Sequence, residues 1–84
     1  MRLDKFLKVS RLIKRRTLAK QVVESERVFV NGRVAKPSTT IKVGDVITIH
    51  FGQKMVTVRV VRLQETSKKD EASTMFEVIS EDRA

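Results

Sequence analysis

Val28-Phe29-Val30-Asn31-Gly32-Arg33-Val34 is the stretch on which the fold turns. Three β-branched or aromatic residues lead into Asn-Gly, and the chain resumes with Arg-Val. Asn-Gly supplies the two positive φ angles of a type I′ turn, so the segment reads as a tight antiparallel hairpin. Downstream the strand texture continues. Nine of the 13 valines lie between residues 28 and 61, and β-branched side chains suit a pleated surface. Pro37-Ser38 breaks the ribbon, and Val43-Gly44-Asp45 is a second turn. Residues 46–51 then alternate, with Ile47, Ile49 and Phe51 on one face. Gly52-Gln53-Lys54 turns the chain into a strand expected from Met55 to about Leu63, with Val56, Val58 and Val60 on one side. Residues 64–73 are polar and show no periodicity, which predicts a loop. A last strand is expected at residues 75–79, and residues 81–84 are expected to fray.

Upstream of the hairpin the period changes to that of helices. Leu3, Phe6, Leu7 and Ser10 fall at i, i+3, i+4 and i+7, one narrow face of a first helix. Continuing that helix would put Lys14 on the buried side, so it is expected to end near residues 10–12. A cationic turn, Lys14-Arg15-Arg16, follows. Thr17 is the expected N-cap of a second helix, with Leu18, Ala19, Val22 and Val23 as its apolar side and Lys20 paired to Glu24 at i, i+4. Two helices followed by several antiparallel strands make an α+β chain. Residues 1–63 are taken as one domain with its sheet extension, and residues 64–84 as a polar loop, a last strand and a frayed end.

The length of 84 residues accommodates one small domain. No apolar run is long enough to span a bilayer, and the charged amino terminus has no signal-peptide core. A soluble, cytoplasmic domain is expected. The charge is one-sided. Residues 1–36 hold 11 Lys/Arg and three acids, whereas residues 37–84 hold seven of each sign. Self-repulsion of that order costs stability, and its concentration in one segment points to an anionic partner.

Several chemistries are excluded by what is missing. The chain has no Cys and one His, so neither a disulfide, a thiolate metal cage nor a His-based zinc site is expected. His50 sits in an alternating strand and reads as a packed strand residue, not a general base. The three glycines all lie in turns, and none forms a phosphate loop. The reading is a non-enzymatic chain with no cofactor and no metal.

The basic residues of positions 2–20 carry the functional reading. Arg2, Lys5, Lys8 and Arg11 take the outer arc of the first helix. Lys14, Arg15 and Arg16 form a denser knot, and Arg15, Arg16 and Lys20 crowd a helix N-terminus, where the macrodipole disfavours cations. A phosphate bound there would be held by amides and side chains together. Phe6, Phe29, Phe51 and Phe76 each fit an apolar face, which leaves no aromatic platform for stacking bases. Recognition of folded RNA by backbone and shape is favoured over reading of a single strand.

Five short blocks in order carry a family resemblance: Arg2-Leu3-Asp4-Lys5-Phe6-Leu7, Arg15-Arg16-Thr17-Leu18-Ala19-Lys20, Val28-Phe29-Val30-Asn31-Gly32, Lys36-Pro37-Ser38 and Val43-Gly44-Asp45. They resemble the S-four-type RNA-binding domain, named after a small-subunit ribosomal protein. The length and the continuation through residues 51–58 are similar to its small stand-alone members in bacterial ribosome-associated quality control. The fifteen-kilodalton ribosome-binding heat-shock protein is a relative of these. The resemblance implies two helices packed on a small antiparallel sheet. It further implies binding to large-subunit rRNA and peptidyl-tRNA on stalled large ribosomal subunits. There the family works with the NEMF-family factor RqcH to add alanine tails to nascent chains. By the same resemblance, Arg2 and Arg16 match the RNA-contacting arginines best. Lys5, Lys8, Arg15, Thr17 and Lys20 support them, with Asn31-Gly32-Arg33 as a further contact. Many relatives carry glycine before the first strand, where this chain has Ser25-Glu26-Arg27.

Alternatives stay open on this reading: recycling or rescue of large subunits without tailing, a DNA-associated basic protein, or an appendage of an RNA-modifying enzyme. Against the DNA reading, the second helix offers Lys20, Gln21 and Glu24 but no row of major-groove readers. No large apolar stripe is left over once helices and sheet pack, so a monomer is expected.

Overall fold

The structure is a computed structural model that describes residues 1–65 and 68–83. Helix α1 spans Leu3–Val9 and α2 spans Arg16–Glu24. Five strands follow: β1 (Val28–Val30), β2 (Arg33–Val34), β3 (Val46–Phe51), β4 (Lys54–Val60) and β5 (Phe76–Arg83). They form one antiparallel sheet in the order β2-β1-β3-β4-β5. A four-residue helix, α3 (Lys69–Ala72), precedes β5.

The narrow face of α1 is the centre of the core. Leu3, Phe6, Leu7 and Ser10 are all buried, as their spacing requires. Leu3, Phe6 and Leu7 join Ala19 and Val23 of α2 and the inward residues Val28, Ile47, Ile49, Val56, Val58 and Val60 in one apolar cluster. The cross-strand pairs Ile47–Val58 and Ile49–Val56 keep these side chains on the helix-facing side of the sheet. At the other end of α1, Arg11 adopts a left-handed φ of 62°. The chain folds back so that the Ile13 amide donates to the Leu7 carbonyl at 3.0 Å. Ile13 is thereby buried and Lys14 exposed. This is the conflict that ending the helix early avoids.

The hairpin forms as its sequence demands. Asn31 and Gly32 take φ values of 52° and 82°, the signs that a type I′ turn needs.

Other expectations are corrected. Helix α2 starts at Arg16, with extended Arg15 before it and no side-chain cap. Thr17 therefore lies inside the first turn and is not the N-cap. Leu18 is 47% exposed. The buried side of α2 centres on Ala19 and Val23, and Leu18 lies about 100° away from Ala19 around the axis. Lys20 and Glu24 form no ion pair. Phe51, expected on the apolar face, is exposed at the end of β3, beyond the cover of the helices, while Phe29 and Phe76 are half-buried.

Strand β4 stops at Val60, short of Leu63, because the Val61 amide turns to the Met75 carbonyl at 2.9 Å. The expected loop contains α3, whose four residues are too few to show a helical period. Buried Ala72 and Met75 pin it to the body. Strand β5 is longer than expected: Glu81, Asp82 and Arg83 pair with Val56, Met55 and Lys54 and do not fray. Thr66, Ser67 and Ala84, also covered by the loop and fraying expectations, lie outside the described residues. Among the described residues no helix is long and apolar enough to cross a membrane.

Candidate nucleic-acid interface

The first residues are strapped along the segment that follows the hairpin. The Leu3 amide donates to the Thr39 carbonyl (2.8 Å), the Asp4 amide to Pro37 (3.2 Å), and the Ile41 amide to Met1 (2.7 Å). Two of the otherwise unpaired amides at the start of α1 are satisfied in this way. Arg2, in extended backbone, is fixed at the entry to the helix.

Asp4 organises the charges around it. It is only 3% exposed, and its Oδ1 accepts the Lys5 amide at 2.8 Å. Arg2 donates from Nε to Oδ1 (3.2 Å) and from Nη2 to Oδ2 (3.3 Å). Arg16 Nε lies 3.5 Å from Oδ2. A buried carboxylate is tolerated only when paired and hydrogen-bonded, and here it gathers two guanidiniums, one from the residue before α1 and one from the start of α2. Both arginine side chains remain about half exposed. Each keeps surface for a further anion, and an anchored fork is suited to bidentate phosphate contact.

The other expected residues divide into three groups. Lys8, Arg11, Lys14, Arg15 and Thr17 are exposed around the α1–α2 connection, and these four cations form no ion pair within the described residues. The start of α2 has no acidic residue in its first turn, so no carboxylate of its own offsets the positive end of the helix beside these cations. Lys20 shares a groove with Arg2 and Lys36. Lys5 is paired with Glu65, whose carboxyl is held below its usual value by the Lys5 hydrogen bond and charge.

The hairpin residues are not drawn into this cluster. Asn31 donates from Nδ2 to Asp45 (3.2 Å) and accepts the Val46 amide at Oδ1 (3.0 Å). Its side chain ties the hairpin to the start of β3. Arg33 is exposed on the edge strand β2. His50 packs edge-on to Phe29, with ring centroids 5.4 Å apart. Among the described residues no three His, Cys, Asp or Glu side chains are grouped to hold a metal.

Sequence reasoning missed Asp4, Lys36 and Glu65. Asp4 did leave a signal, as a lone acid beside the apolar stripe of a basic helix. Lys36 and Glu65 left none, because only folding brings them to Arg2 and Lys5.

Comparison with known proteins fits this geometry. The S4 domain model matches residues 1–47, the part that holds both helices, the hairpin and the Asp4 cluster. The chain belongs to the S4 domain family. The RQC P-site tRNA stabilizing factor of Halalkalibacterium halodurans is 62% identical over 98% of this chain and 93% of its own. That of Bacillus subtilis is 57% identical over 99% and 96%. Within the S4 domain family the chain thus falls among relatives named RQC P-site tRNA stabilizing factors. The trimeric structure of Vibrio cholerae heat shock protein 15 is 32% identical, with a TM-score of 0.88, over 95% of this chain and 82% of that one. The α+β architecture, two N-terminal helices on a five-stranded antiparallel sheet, is shared with it.

Proposed function

We propose that this S4 domain chain steadies tRNA on large ribosomal subunits that carry a stalled nascent chain, acting by binding and not by catalysis. The observation that carries the reading is the Asp4 cluster, in which two half-exposed guanidiniums, one before α1 and one opening α2, are held on one buried carboxylate. Near end-to-end identity to factors named for stabilizing P-site tRNA supports it.

In this reading Arg2 and Arg16 grip the RNA backbone at fixed positions. Lys5, Lys8, Arg11, Lys14, Arg15, Thr17 and Lys20 add phosphate contacts around them, and Arg33 adds one at the hairpin. Asn31 contributes by holding the hairpin. Large-subunit rRNA and the tRNA are gripped together, which keeps the peptidyl-tRNA in place through each cycle of alanine addition by RqcH. The working unit is a monomer, which light scattering of the free protein checks against the trimer of the heat-shock relative.

Sucrose-gradient sedimentation of tagged protein from growing cells tests the reading. Wild-type protein is expected in the large-subunit peak with tRNA, and the Arg16→Ala protein at the top of the gradient. Wild-type protein at the top, or no preference for subunits carrying peptidyl-tRNA, overturns it. A second reading, subunit rescue without tailing, draws on the likeness to heat shock protein 15. Tail synthesis in a purified system with and without the protein separates the two.

A further inference from the structure

A groove of about 530 Å³ lies between α2 and the segment that follows β2. Its size falls in the range of small-ligand sites, about 300–1,000 Å³. Three cations from separate parts of the chain line it: Arg2 before α1, Lys20 on α2 and Lys36 after β2. Between them lies aliphatic surface, including Pro37 and Val34, the latter about half exposed with nothing over it. Two carboxylates, Glu24 and Glu26, complete the lining. Neither forms an ion pair or a side-chain hydrogen bond with a described residue, although cations share the groove.

The carboxylates are the informative part. An acid in a groove that takes a polyanion repels the backbone, so it needs a donor on the ligand to be favourable. RNA has two kinds of donor, the 2′-hydroxyl and the N–H groups of its bases, and the Watson–Crick edge, where a base can offer two adjacent N–H donors, is open only in unpaired nucleotides. We propose that this groove receives one unpaired nucleotide of the bound RNA. Its base rests on Val34 and Pro37 and its N–H edge meets Glu24 or Glu26. Its phosphates meet Arg2, Lys20 and Lys36.

Guanine fits best, because N1–H and the N2 amino group are parallel donors that match the two oxygens of one carboxylate. Uracil fits worst. Its single N–H is flanked by two carbonyl oxygens, which a carboxylate repels. The groove thus adds base selectivity to a surface that otherwise reads only phosphate and shape.

This inference rests on the RNA-binding reading above, and its test keeps the two apart. The isotope-labelled full chain is titrated with GMP, AMP, CMP and UMP by NMR, and the same preparation is sedimented with large subunits carrying peptidyl-tRNA. GMP is expected to shift the amides of Val23–Glu26, Val34–Lys36 and Ser38. Its half-saturation should lie at least about fivefold below that of UMP, the lower end of what one bidentate base contact discriminates. The double variant Glu24→Gln/Glu26→Gln should lose the preference for GMP and still sediment with the subunits. Equal response to GMP and UMP, or shifts confined to residues 8–16, overturns the groove while sedimentation keeps the wider reading intact. Loss of wild-type sedimentation overturns the wider reading, and the groove proposal with it.

Discussion

Arg2 and Arg16 on one side, and Lys8, Lys14 and Arg15 on the other, have the same charge and similar exposure but are held differently. The first pair is anchored on buried Asp4. The second set is unpaired among the described residues. An anchored guanidinium meets a phosphate with little further loss of side-chain freedom, and its fork fixes the direction of approach. A free lysine adds attraction but little direction, and salt screens it. The anchored pair is therefore expected to set where the RNA sits, and the free set how strongly it is drawn in.

Removing an anchored arginine should have the largest effect. Arg16→Ala is expected to weaken binding to tRNA-bearing large subunits about 10- to 100-fold, the scale of one or two charge-assisted hydrogen bonds. Arg16→Lys should recover only part of it, because an ammonium has no fork. Binding isotherms on purified particles check both, and a full rescue by lysine would erase the distinction between the two sets.

Asp4→Asn should come next and separates position from charge. It raises the net charge by one, so simple attraction predicts tighter binding everywhere. If Asp4 acts by aiming the arginines, affinity for the tRNA-bearing particle should instead drop about tenfold while binding to poly-uridine holds or rises. The side chain is buried, so a melting curve should also record a loss of about 1–3 kcal/mol.

A smaller effect is expected for Lys14→Ala. Affinity should fall a few-fold at low salt, and the log–log salt slope should shrink by about 0.7–0.9, the value of one phosphate contact. Fluorescence anisotropy across a salt series measures this. An unchanged slope would take Lys14 off the RNA.

The smallest effect belongs to Glu65, which competes with RNA for Lys5. Glu65→Gln should raise affinity slightly at low salt and not at all at high salt, because the pair is exposed. Its pH dependence has a definite sign. The folded carboxyl is held below its usual value of 4.5, so the pair survives as pH falls through that value. It is lost only lower, when the folded carboxyl takes up its proton. Stability from this contact is thus present above the ordinary Glu range and lost on further acidification. NMR titration of the Glu65 carboxyl carbon with and without Lys5→Ala checks the direction.

Much of this was legible before folding. Leu3, Phe6, Leu7 and Ser10 announce a buried stripe because helical geometry makes i, i+3, i+4 and i+7 neighbours. Asn31-Gly32 announces a hairpin because few other pairs tolerate two positive φ angles. Val56, Val58 and Val60 share a face because strand side chains alternate. The last twenty residues were hardest to read. Helix α3 is too short for a period, and β5 carries charges at Glu77, Glu81 and Asp82 that resemble a tail. That strand exists because β4 offers it an unpaired edge.

The charge asymmetry, the two helices, the hairpin and the basic surface were determined by the sequence itself, since local spacing and composition are enough to specify each. Tertiary structure alone decided which charges meet. It set Arg2 beside Arg16 on Asp4, Lys5 against Glu65, and Lys20 with Lys36 across a groove. Each arrangement brings in a residue distant in the chain, such as Arg16 at Asp4 or Glu65 at Lys5, and a sequence pattern records neighbours only along the chain. Asn31 shows the limit from the other side. Its residue type fitted an RNA contact as well as a strut, and only the positions of Asp45 and Val46 showed that its side chain ties the hairpin to β3.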